Sequence, residues 1–309
     1  MSKKKILVIQ GGNSKERDIS LKTAKSCIKA IKKNGHKVIE FDPKFSSILK
    51  IKKINPDIIF NALHGKNGED GKIQSFFEYF KIPYTHSGVI PSMLAMNKHV
   101  SKQLFIQNKI KTPKYFLIDE KSKSNINLLK KTTSNNIKFP VVIKPNDEGS
   151  SIGVKICNNL RFLKKEFSIL KKKYKSLIVE TYIPGQEIQV ALMSGKAIGA
   201  IELRPKRKFY DYKAKYKKSS KTIHLMPADI PKIKYKEVLK ISEEANKVLG
   251  CKGIVRCDFR FYKGSFYLLE LNTQPGMTDL SLVPEIAKFV KIPFTKLIKW
   301  MIQDASIDR

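Results

Sequence analysis

Two oxygen-bearing side chains near the C-terminal end of the chain are spaced to bind one ligand. Glu270 and Asn272 lie two residues apart in the apolar run 268–272, which is typical of a strand. Because successive side chains of a strand alternate between its faces, both point to one side, and Leu269 and Leu271 point to the other. The spacing predicts a pair of oxygen ligands on one face of a strand.

A third oxygen ligand is expected on the preceding strand, at about residues 254–262. If residues 263–265 form a three-residue hairpin loop, Asp258 faces Glu270 across the strand pair. Two carboxylates and the amide of Asn272 form the all-oxygen site that Mg²⁺ prefers, and Mg²⁺ commonly shares the phosphates of a substrate. The pattern predicts phosphate chemistry. The alternative is an ordinary amphipathic hairpin with a charged, solvent-exposed face.

A glycine-rich loop, residues 148–153, joins an apolar strand ending at Lys144 to a strand beginning at Val154. Small residues let backbone N–H groups approach phosphate oxygens closely. The loop is not a Walker loop, because no Gly-Lys-Ser/Thr follows and the next element is a strand. Taken alone, it would be interpreted as a simple glycine hairpin, and Lys144 could extend to solvent as well as to a phosphate.

Two carboxylates complete the predicted nucleotide site. Glu180 and Glu187 flank residues 181–186, which join two further strands. A backbone segment with a carboxylate on either side can hydrogen-bond an adenine edge and a ribose diol. The order of the lysine, the loop and the two carboxylates indicates a nucleotide site.

The N-terminal third of the chain is predicted to consist of alternating strands and helices. Strands are predicted at residues 5–9, 37–41 and 57–63, and helices at 20–33 and 70–80. This alternation predicts a parallel sheet covered by helices. The glycine pair at residues 11 and 12 lacks the third glycine and the acidic residue of the dinucleotide fingerprint, so a nicotinamide cofactor is not expected.

The remainder of the chain predicts mixed α and β structure. A helix and an edge strand are expected between residues 91 and 118. Further elements are predicted as strands at 140–144, 153–157, 177–180, 187–193 and 197–203, and as helices at 160–173, 234–249 and 294–303. The Lys- and Tyr-rich segment 205–221 has little apolar periodicity and is predicted to be a mobile loop that acts as a lid. We expect an α/β (α+β) protein with domains at 1–97, 98–185 and 186–309.

The bulk composition favours a cytoplasmic enzyme. The 309 residues suit two or three domains, and no signal peptide or membrane span is evident. Four cysteines without metal-ligand spacing are expected to stay reduced. The net charge is +34, but only seven of the 61 basic residues are Arg, so the lysines are interpreted as a solvated surface. Specific nucleic-acid binding and membrane binding are not expected.

Several long motifs resemble one known family. They are residues 11–20, 62–71, 148–153, 256–258 and 270–282. Over nearly the whole chain the sequence resembles the D-alanine:D-alanine ligases of the ATP-grasp superfamily. The resemblance implies an ATP-grasp fold, in which an N-terminal parallel α/β domain precedes two α+β domains that enclose ATP. It also implies a homodimer and synthesis of a peptidoglycan precursor.

The resemblance assigns ATP and two Mg²⁺ or Mn²⁺ ions to particular side chains. The residues implied to contact ATP are Lys98, Lys144, Ser151 and Lys215 at the phosphates, Glu180 and Ile183 at the adenine, and Glu187 at the ribose. The implied metal ligands are Asp258, Glu270 and Asn272. In the implied reaction, the carboxylate of one D-alanine attacks the γ-phosphorus, and the amine of a second D-alanine then displaces phosphate from the acyl phosphate.

The implied amino-acid sites involve a further set of residues. Glu16 matches the carboxylate that binds the first ammonium group, and His64 lies in the same pocket. Ser281 and Leu282, with Lys215, match the second substrate site. The remaining implied groups are Arg256 and the backbone N–H of Gly276 at the oxyanion, and a closing triad of Glu16, Ser150 and Tyr216.

Three of these side chains also have ordinary structural interpretations. His64 could be a core histidine bonded to a backbone carbonyl, Ser281 could cap the following turn, and Tyr216 could pack as a loop aromatic. If the resemblance holds, Tyr216 indicates a ligase that forms a dipeptide and not D-alanyl-D-lactate. Two departures, Asn97 and Gln274, supply no catalytic group.

Two other functions compete with this interpretation. A different ATP-grasp ligase for small acids and amines would carry the same metal and nucleotide residues. Glu16, Tyr216 and Ser281 favour the amino-acid ligase, because they belong to its substrate pocket. A basic nucleic-acid-binding protein on the same fold is disfavoured by the complete metal-ligand set.

Overall fold

A computed structural model describes residues 2–122, 127–205, 222–278 and 281–309. These ranges form three sheets. The strands are β1 (Lys5–Ile9), β2 (Lys37–Phe41), β3 (Ile58–Asn61), β4 (Tyr115–Ile118), β5 (Val141–Pro145), β6 (Lys155–Cys157), β7 (Leu177–Thr181), β8 (Gln186–Met193), β9 (Lys196–Arg204), β10 (Ile223–Leu225), β11 (Ile254–Tyr262) and β12 (Ser265–Asn272). The helices are α1 (Arg17–Lys33), α2 (Lys50–Ile54), α3 (Lys72–Tyr79), α4 (Val89–Met96), α5 (Lys98–Gln107), α6 (Leu128–Ser134), α7 (Leu160–Leu170), α8 (Lys232–Leu249), α9 (Leu282–Phe289) and α10 (Phe294–Asp304).

The N-terminal sheet is parallel, as predicted, with β1 between β2 and β3. The four residues Ile6 to Ile9 of β1 have no exposed surface, because apolar clusters cover both faces of the strand. Helices α1 and α10 pack on one face, and α3 contributes to the other. Continuous burial of this kind explains why a central parallel strand is an unbroken apolar run. The sheet brings the residues that follow β1 and β3 to the same edge.

The other two sheets are antiparallel. One has the strand order β4-β7-β5-β6 and packs against α6 and α7. The other has the order β10-β9-β8-β11-β12 and packs between α8 on one face and α9 on the other. The predicted edge strand is β4, but two helices precede it where one was expected. The second helix begins after Asn97, whose side chain accepts a hydrogen bond from the backbone N–H of Val100 at 3.1 Å.

The predicted pairing of Asp258 with Glu270 is confirmed, but the predicted loop is wrong. The turn has two residues, 263 and 264, because Tyr262 pairs with Ser265. A β-bulge at Leu269 adds one residue to β12 and restores the register that a three-residue loop would have given.

The bulge also changes the direction of one side chain. Leu268 and Leu271 lie in the core beneath the sheet, whereas Leu269 lines the same cleft as Glu270. The prediction that Leu269 points away from Glu270 is therefore wrong. An extra residue interrupts the alternation of side chains along a strand, and the sequence gives no direct signal of this interruption.

Among the described residues, no helix combines the length and apolar character that crossing a bilayer requires. The segment 206–221, which includes Lys215, Tyr216 and most of the predicted lid, lies outside the described residues.

Candidate active site

A cleft lies between the two antiparallel sheets. Its lining includes all the predicted ATP-binding residues that the structure describes, namely Lys98, Lys144, Ser151, Glu180, Ile183 and Glu187. Asp258 and Glu270 line the same cleft, together with apolar side chains from both sheets, among them Val142 and Leu269. An apolar cleft with a few charged groups is the usual character of a small-molecule site.

A buried cluster of three charges adjoins this cleft, and two of its members, Lys144 and Glu180, line the cleft. The carboxylate of Glu180 is 2.6 Å from Lys144 Nζ and 2.9 Å from Lys102 Nζ. Burial would raise the pKa of Glu180, but the two ammonium groups outweigh burial and lower it. Burial also lowers the pKa of Lys102 to about 8, although Glu180 opposes this effect. Two ammonium groups share one carboxylate, so the cluster is net positive and suits an anionic ligand.

Lys102 was not identified from the sequence. It lies four residues after Lys98 in α5, on the same face of the helix, and this spacing is the signal that could have found it. Its side chain is 1% exposed, so its ammonium group depends on Glu180 for compensation.

We expect that replacing Lys102 by Met lowers the free energy of unfolding by on the order of 3 kcal/mol, because Glu180 loses one of its two buried partners. Urea denaturation measures the change. A matched control is Lys196→Met, which breaks a contact to Glu243 from an exposed lysine and should cost less than about 1 kcal/mol. Equal losses of unfolding free energy in the two variants would contradict the stabilising contribution assigned to the buried cluster.

Lys98 connects the glycine-rich loop to Glu270 of β12. Lys98 Nζ donates to the backbone carbonyl of Glu148 at 2.5 Å and lies 3.6 Å from the carboxylate of Glu270. The loop has a left-handed backbone at Ser150 and Ser151, with φ angles of 49° and 59°. Lys98 therefore lies between the predicted phosphate loop and a predicted metal ligand.

The three predicted metal ligands lie on the paired strands β11 and β12, with Asp258 in the middle of β11 and Asn272 at the end of β12. Asp258 accepts two hydrogen bonds from Arg256, from Nε at 2.6 Å and from Nη2 at 2.8 Å. Asn272 Oδ1 accepts from the backbone N–H of Gln274 at 2.8 Å. In the part of the chain that the structure describes, no group of three or more His, Cys, Asp or Glu residues could hold a metal ion. The predicted set has two carboxylates, and the amide of Asn272 is its predicted third ligand.

The predicted first-substrate pocket lies at the edge of the N-terminal sheet. Glu16 is 4% exposed and accepts a short hydrogen bond from Ser150 Oγ of the glycine-rich loop. A side chain at Gly149 would begin 3.0 Å from Glu16 Oε2, so the glycine lets the loop pass close to this carboxylate without a tight contact. The structure brings Glu16 and Ser150 together, whereas Tyr216, the third member of the predicted triad, lies outside the described residues.

His64 is buried in the same region. Its Nε2 is 3.0 Å from Thr23 Oγ1, and its Nδ1 is 3.9 Å from Glu69 Oε2. These partners are side chains. The alternative interpretation of His64, as a core histidine, required a backbone carbonyl instead. Glu69 was not singled out from the sequence, although it belongs to the motif at residues 62–71 and is 8% exposed.

Ser281 occupies the N-cap position of α9, but its hydroxyl does not cap the helix. Instead, Ser281 Oγ accepts from the backbone N–H of Thr278 at 2.9 Å. A side chain at Gly276 would begin 3.0 Å from the same Oγ, so only glycine fits there without displacing Ser281. Leu282 is buried beside Met277 in the core.

A second cavity adjoins the cleft. Lys98, Glu148 and Glu270 line both, and the second cavity is also lined by Ser150 and Asn272. These three charged side chains form a wall common to both cavities. The predicted nucleotide residues line one cavity, and Ser150, the loop residue that contacts Glu16, lines the other.

Two family models match the chain. The model described as D-ala D-ala ligase N-terminus matches residues 39–87, and the model described as D-ala D-ala ligase C-terminus matches residues 104–303, which is more than half of the chain. The chain belongs to the D-alanine–D-alanine ligase family. This ligase-family chain is 54% identical over 306 residues to D-alanine–D-alanine ligase from Pelagibacter ubique strain HTCC1062, with 99% of each protein covered.

Two solved structures resemble this member of the ligase family over its full length. D-alanine–D-alanine ligase from Bacillus anthracis has a TM-score of 0.85 and 31% identity, and covers 98% of this chain and 97% of its own. The same enzyme complexed with ATP has a TM-score of 0.84 and 30% identity, and 97% of each chain is covered. The predicted ATP-grasp fold is confirmed.

Proposed function

We propose that the chain is an ATP-dependent ligase that joins two D-alanines into D-alanyl-D-alanine for peptidoglycan synthesis, through a D-alanyl phosphate. The observation that carries the proposal is the wall of Lys98, Glu148 and Glu270 shared by the two cavities. A γ-phosphate above this wall would face a substrate held beside Ser150. The names of the relatives support the choice of D-alanine.

ATP would bind in the cleft between the antiparallel sheets. Glu180 and Ile183 would contact the adenine, and Glu187 the ribose. Lys98, Lys144 and Ser151 would bind the phosphates, together with Lys215 from outside the described residues. The ATP complex of the Bacillus anthracis relative supports this ligand.

Two Mg²⁺ or Mn²⁺ ions fit the predicted ligands. Asp258 pairs directly with Glu270, and each carboxylate and the amide of Asn272 supply oxygen only, which suits a hard cation. The amide oxygen of Asn272 has a second lone pair beyond its hydrogen bond to Gln274. When bound, the ions would screen the negative charge of the triphosphate, including the charge that moves off the γ-phosphoryl group during its transfer.

In the first step, a carboxylate oxygen of the first D-alanine bonds to the γ-phosphorus and ADP leaves. Glu16 would hold the ammonium group of this substrate, and His64 would lie beside it. The contact between Ser150 and Glu16 would keep the glycine-rich loop over the substrate. Closing the site excludes water, which would otherwise hydrolyse the acyl phosphate.

In the second step, the neutral amine of the second D-alanine attacks the acyl carbon and loses one proton, so the amide nitrogen keeps the other, and phosphate leaves with one former carboxylate oxygen. Arg256 and the backbone N–H of Gly276 would stabilise the oxyanion. Ser281 and Leu282 would form the second substrate site, with Lys215. Tyr216 would complete the closing triad and favour the dipeptide product.

The same proposal includes properties of the whole protein. It divides the chain into a substrate domain at residues 1–97, a central domain at 98–185 and a C-terminal domain at 186–309. It also makes the protein a cytoplasmic homodimer that acts on small molecules and binds neither a membrane nor a specific nucleic acid.

Phosphate release tests the proposed function. The purified protein is given ATP and Mg²⁺ with D-alanine, L-alanine, D-alanine plus D-lactate, or no amino acid, and the products are identified by mass. We expect release only with D-alanine and a D-alanyl-D-alanine product. Turnover with another acceptor alone would assign the chain to a different ATP-grasp ligase activity, and no turnover at all would overturn the proposal.

A further inference from the structure

Gln274 is a buried side chain that connects two distant parts of the chain. It is 1% exposed and lies in the loop between Asn272 and Gly276. Its Nε2 donates a short hydrogen bond to the backbone carbonyl of Leu63, and its Oε1 accepts from Asn61 Nδ2 at 3.0 Å. One polar atom of the amide therefore bonds to the last residue of β3, and the other bonds to the segment that follows this strand.

The receiving segment is itself held in shape by Asn61. Asn61 has no exposed surface, and its Oδ1 accepts from the backbone N–H of Leu63 at 3.1 Å. Its Nδ2 also donates to the carbonyl of Gly68 at 2.9 Å. These bonds fix both ends of a short loop that carries His64. Gln274 is thus attached to an ordered part of the first-substrate pocket.

The loop that carries Gln274 is held at two further points. The backbone N–H of Gln274 donates to Asn272 Oδ1 at 2.8 Å, on the side of the metal ligands. The backbone N–H of Met277 donates to Thr23 Oγ1 at 3.4 Å, and the same hydroxyl is 3.0 Å from His64 Nε2. One chain of hydrogen bonds therefore runs from a predicted metal ligand to the predicted first-substrate pocket.

We propose that Gln274 is a positioning residue, which holds the loop at residues 272–277 at a fixed distance from the first-substrate pocket. This inference rests on the proposed function. The loop carries Asn272, a proposed metal ligand, and the N–H of Gly276, which would stabilise the oxyanion. Glu16 and His64, which would hold the first substrate, lie in the other part. Because the reacting groups come from two parts of the chain, a displacement of about 1 Å between them can reduce the rate about 10²-fold.

The test compares two buried glutamines. Gln274→Met keeps the length of the side chain and removes both hydrogen bonds to Asn61 and Leu63. Gln74→Met is the matched control, because Gln74 is also 1% exposed and its Nε2 donates to the carbonyl of Gly68 at 3.0 Å, in the same segment. Gln74 lies in α3 and makes this bond within the N-terminal part of the chain.

We expect Gln274→Met to lower kcat/KM for the first D-alanine about tenfold or more, because the loop would no longer be held in place. Its Michaelis constant for ATP should stay within about twofold, because the nucleotide cleft does not include this side chain. The control should lose a comparable amount of thermal stability and leave both constants within about twofold. If the two variants have the same kinetics, Gln274 has only a structural role.

Asn61→Ala removes the bond to Gln274 from the other side, together with the bonds of Asn61 to Leu63 and Gly68. Measured by itself, it should also lower kcat/KM for the first D-alanine, and it keeps the test usable if Gln274→Met does not fold. Where both variants fold, we expect the double variant to lower kcat/KM no more than the larger single change does. Additive changes would overturn the inference, because they would show that Asn61 and Gln274 act independently.

Hydrogen exchange separates this inference from the proposed function. Even if the wild-type chain releases no phosphate, Gln274→Met should accelerate amide exchange at residues 272–278 as well as 61–68. Gln74→Met should accelerate exchange only in the second segment. Unchanged exchange at residues 272–278 in Gln274→Met would overturn the attachment itself.

Discussion

Replacing Glu270 by Gln is expected to reduce D-alanine-dependent phosphate release at least about 10³-fold. The substitution preserves the size of the side chain and its place opposite Asp258, but it removes one of two carboxylates from the predicted metal set. It also leaves Lys98 without the carboxylate that lies 3.6 Å away. Initial rates over a range of Mg²⁺ concentrations measure the effect.

A suitable control for Glu270→Gln is Glu243→Gln. Glu243 lies in α8 outside the cleft, and its carboxylate is 3.7 Å from the exposed Lys196. We expect this variant to retain the wild-type rate within about twofold, as for most surface substitutions. A Glu270→Gln protein that turns over at a rate near that of the wild type would refute the assignment of this carboxylate to the metal site.

Replacing Glu16 by Gln is expected to raise the Michaelis constant for the first D-alanine about 10²-fold. Removing one partner of a desolvated ion pair typically costs about 2–5 kcal/mol, and each 1.4 kcal/mol is a factor of ten. Glu16 is 4% exposed, so the ammonium group of the substrate would lose a partner that water does not replace. ATP binding, measured by nucleotide titration, should change little because Glu16 does not line the cleft.

Glu40→Gln is the matched control for Glu16→Gln. Glu40 is an exposed carboxylate of β2 in the same sheet and accepts a hydrogen bond from Gln10 at 2.8 Å. Its replacement should leave the D-alanine dependence unchanged. If Glu16→Gln weakens ATP binding as much as it weakens D-alanine binding, the carboxylate acts on the fold and not on the ammonium group.

The sequence predicted those features that depend on local pattern. The apolar runs located the strands of both antiparallel sheets except the short β10, and strand alternation with motif order grouped Lys144, Glu180 and Glu187 in one cleft. The pairing of Asp258 with Glu270 was also predicted, but from an incorrect loop length. A bulge at Leu269 compensated for the shorter turn, and bulges depend on packing across the sheet more than on local composition.

Several features that depend on contacts between distant parts of the chain were not predicted. Lys102 was missed because its partner Glu180 lies in another element, and an isolated lysine in a helix is usually exposed. Gln274 was regarded as a position without a catalytic group, since its bonds to Asn61 and Leu63 exist only once the sheets have assembled. The hydrogen bond of Ser281 was also not predicted. An N-cap position gives no indication that the hydroxyl oxygen accepts from the backbone N–H of the preceding Thr278.

The most direct test of the central claim follows the oxygen atoms of the substrate. D-Alanine labelled with ¹⁸O at both carboxylate oxygens is incubated with the protein, ATP and Mg²⁺, and the released phosphate is analysed by mass. If the carboxylate attacks the γ-phosphorus and the acyl bond then breaks, each phosphate carries one ¹⁸O atom. Unlabelled phosphate alongside D-alanyl-D-alanine would contradict the acyl phosphate.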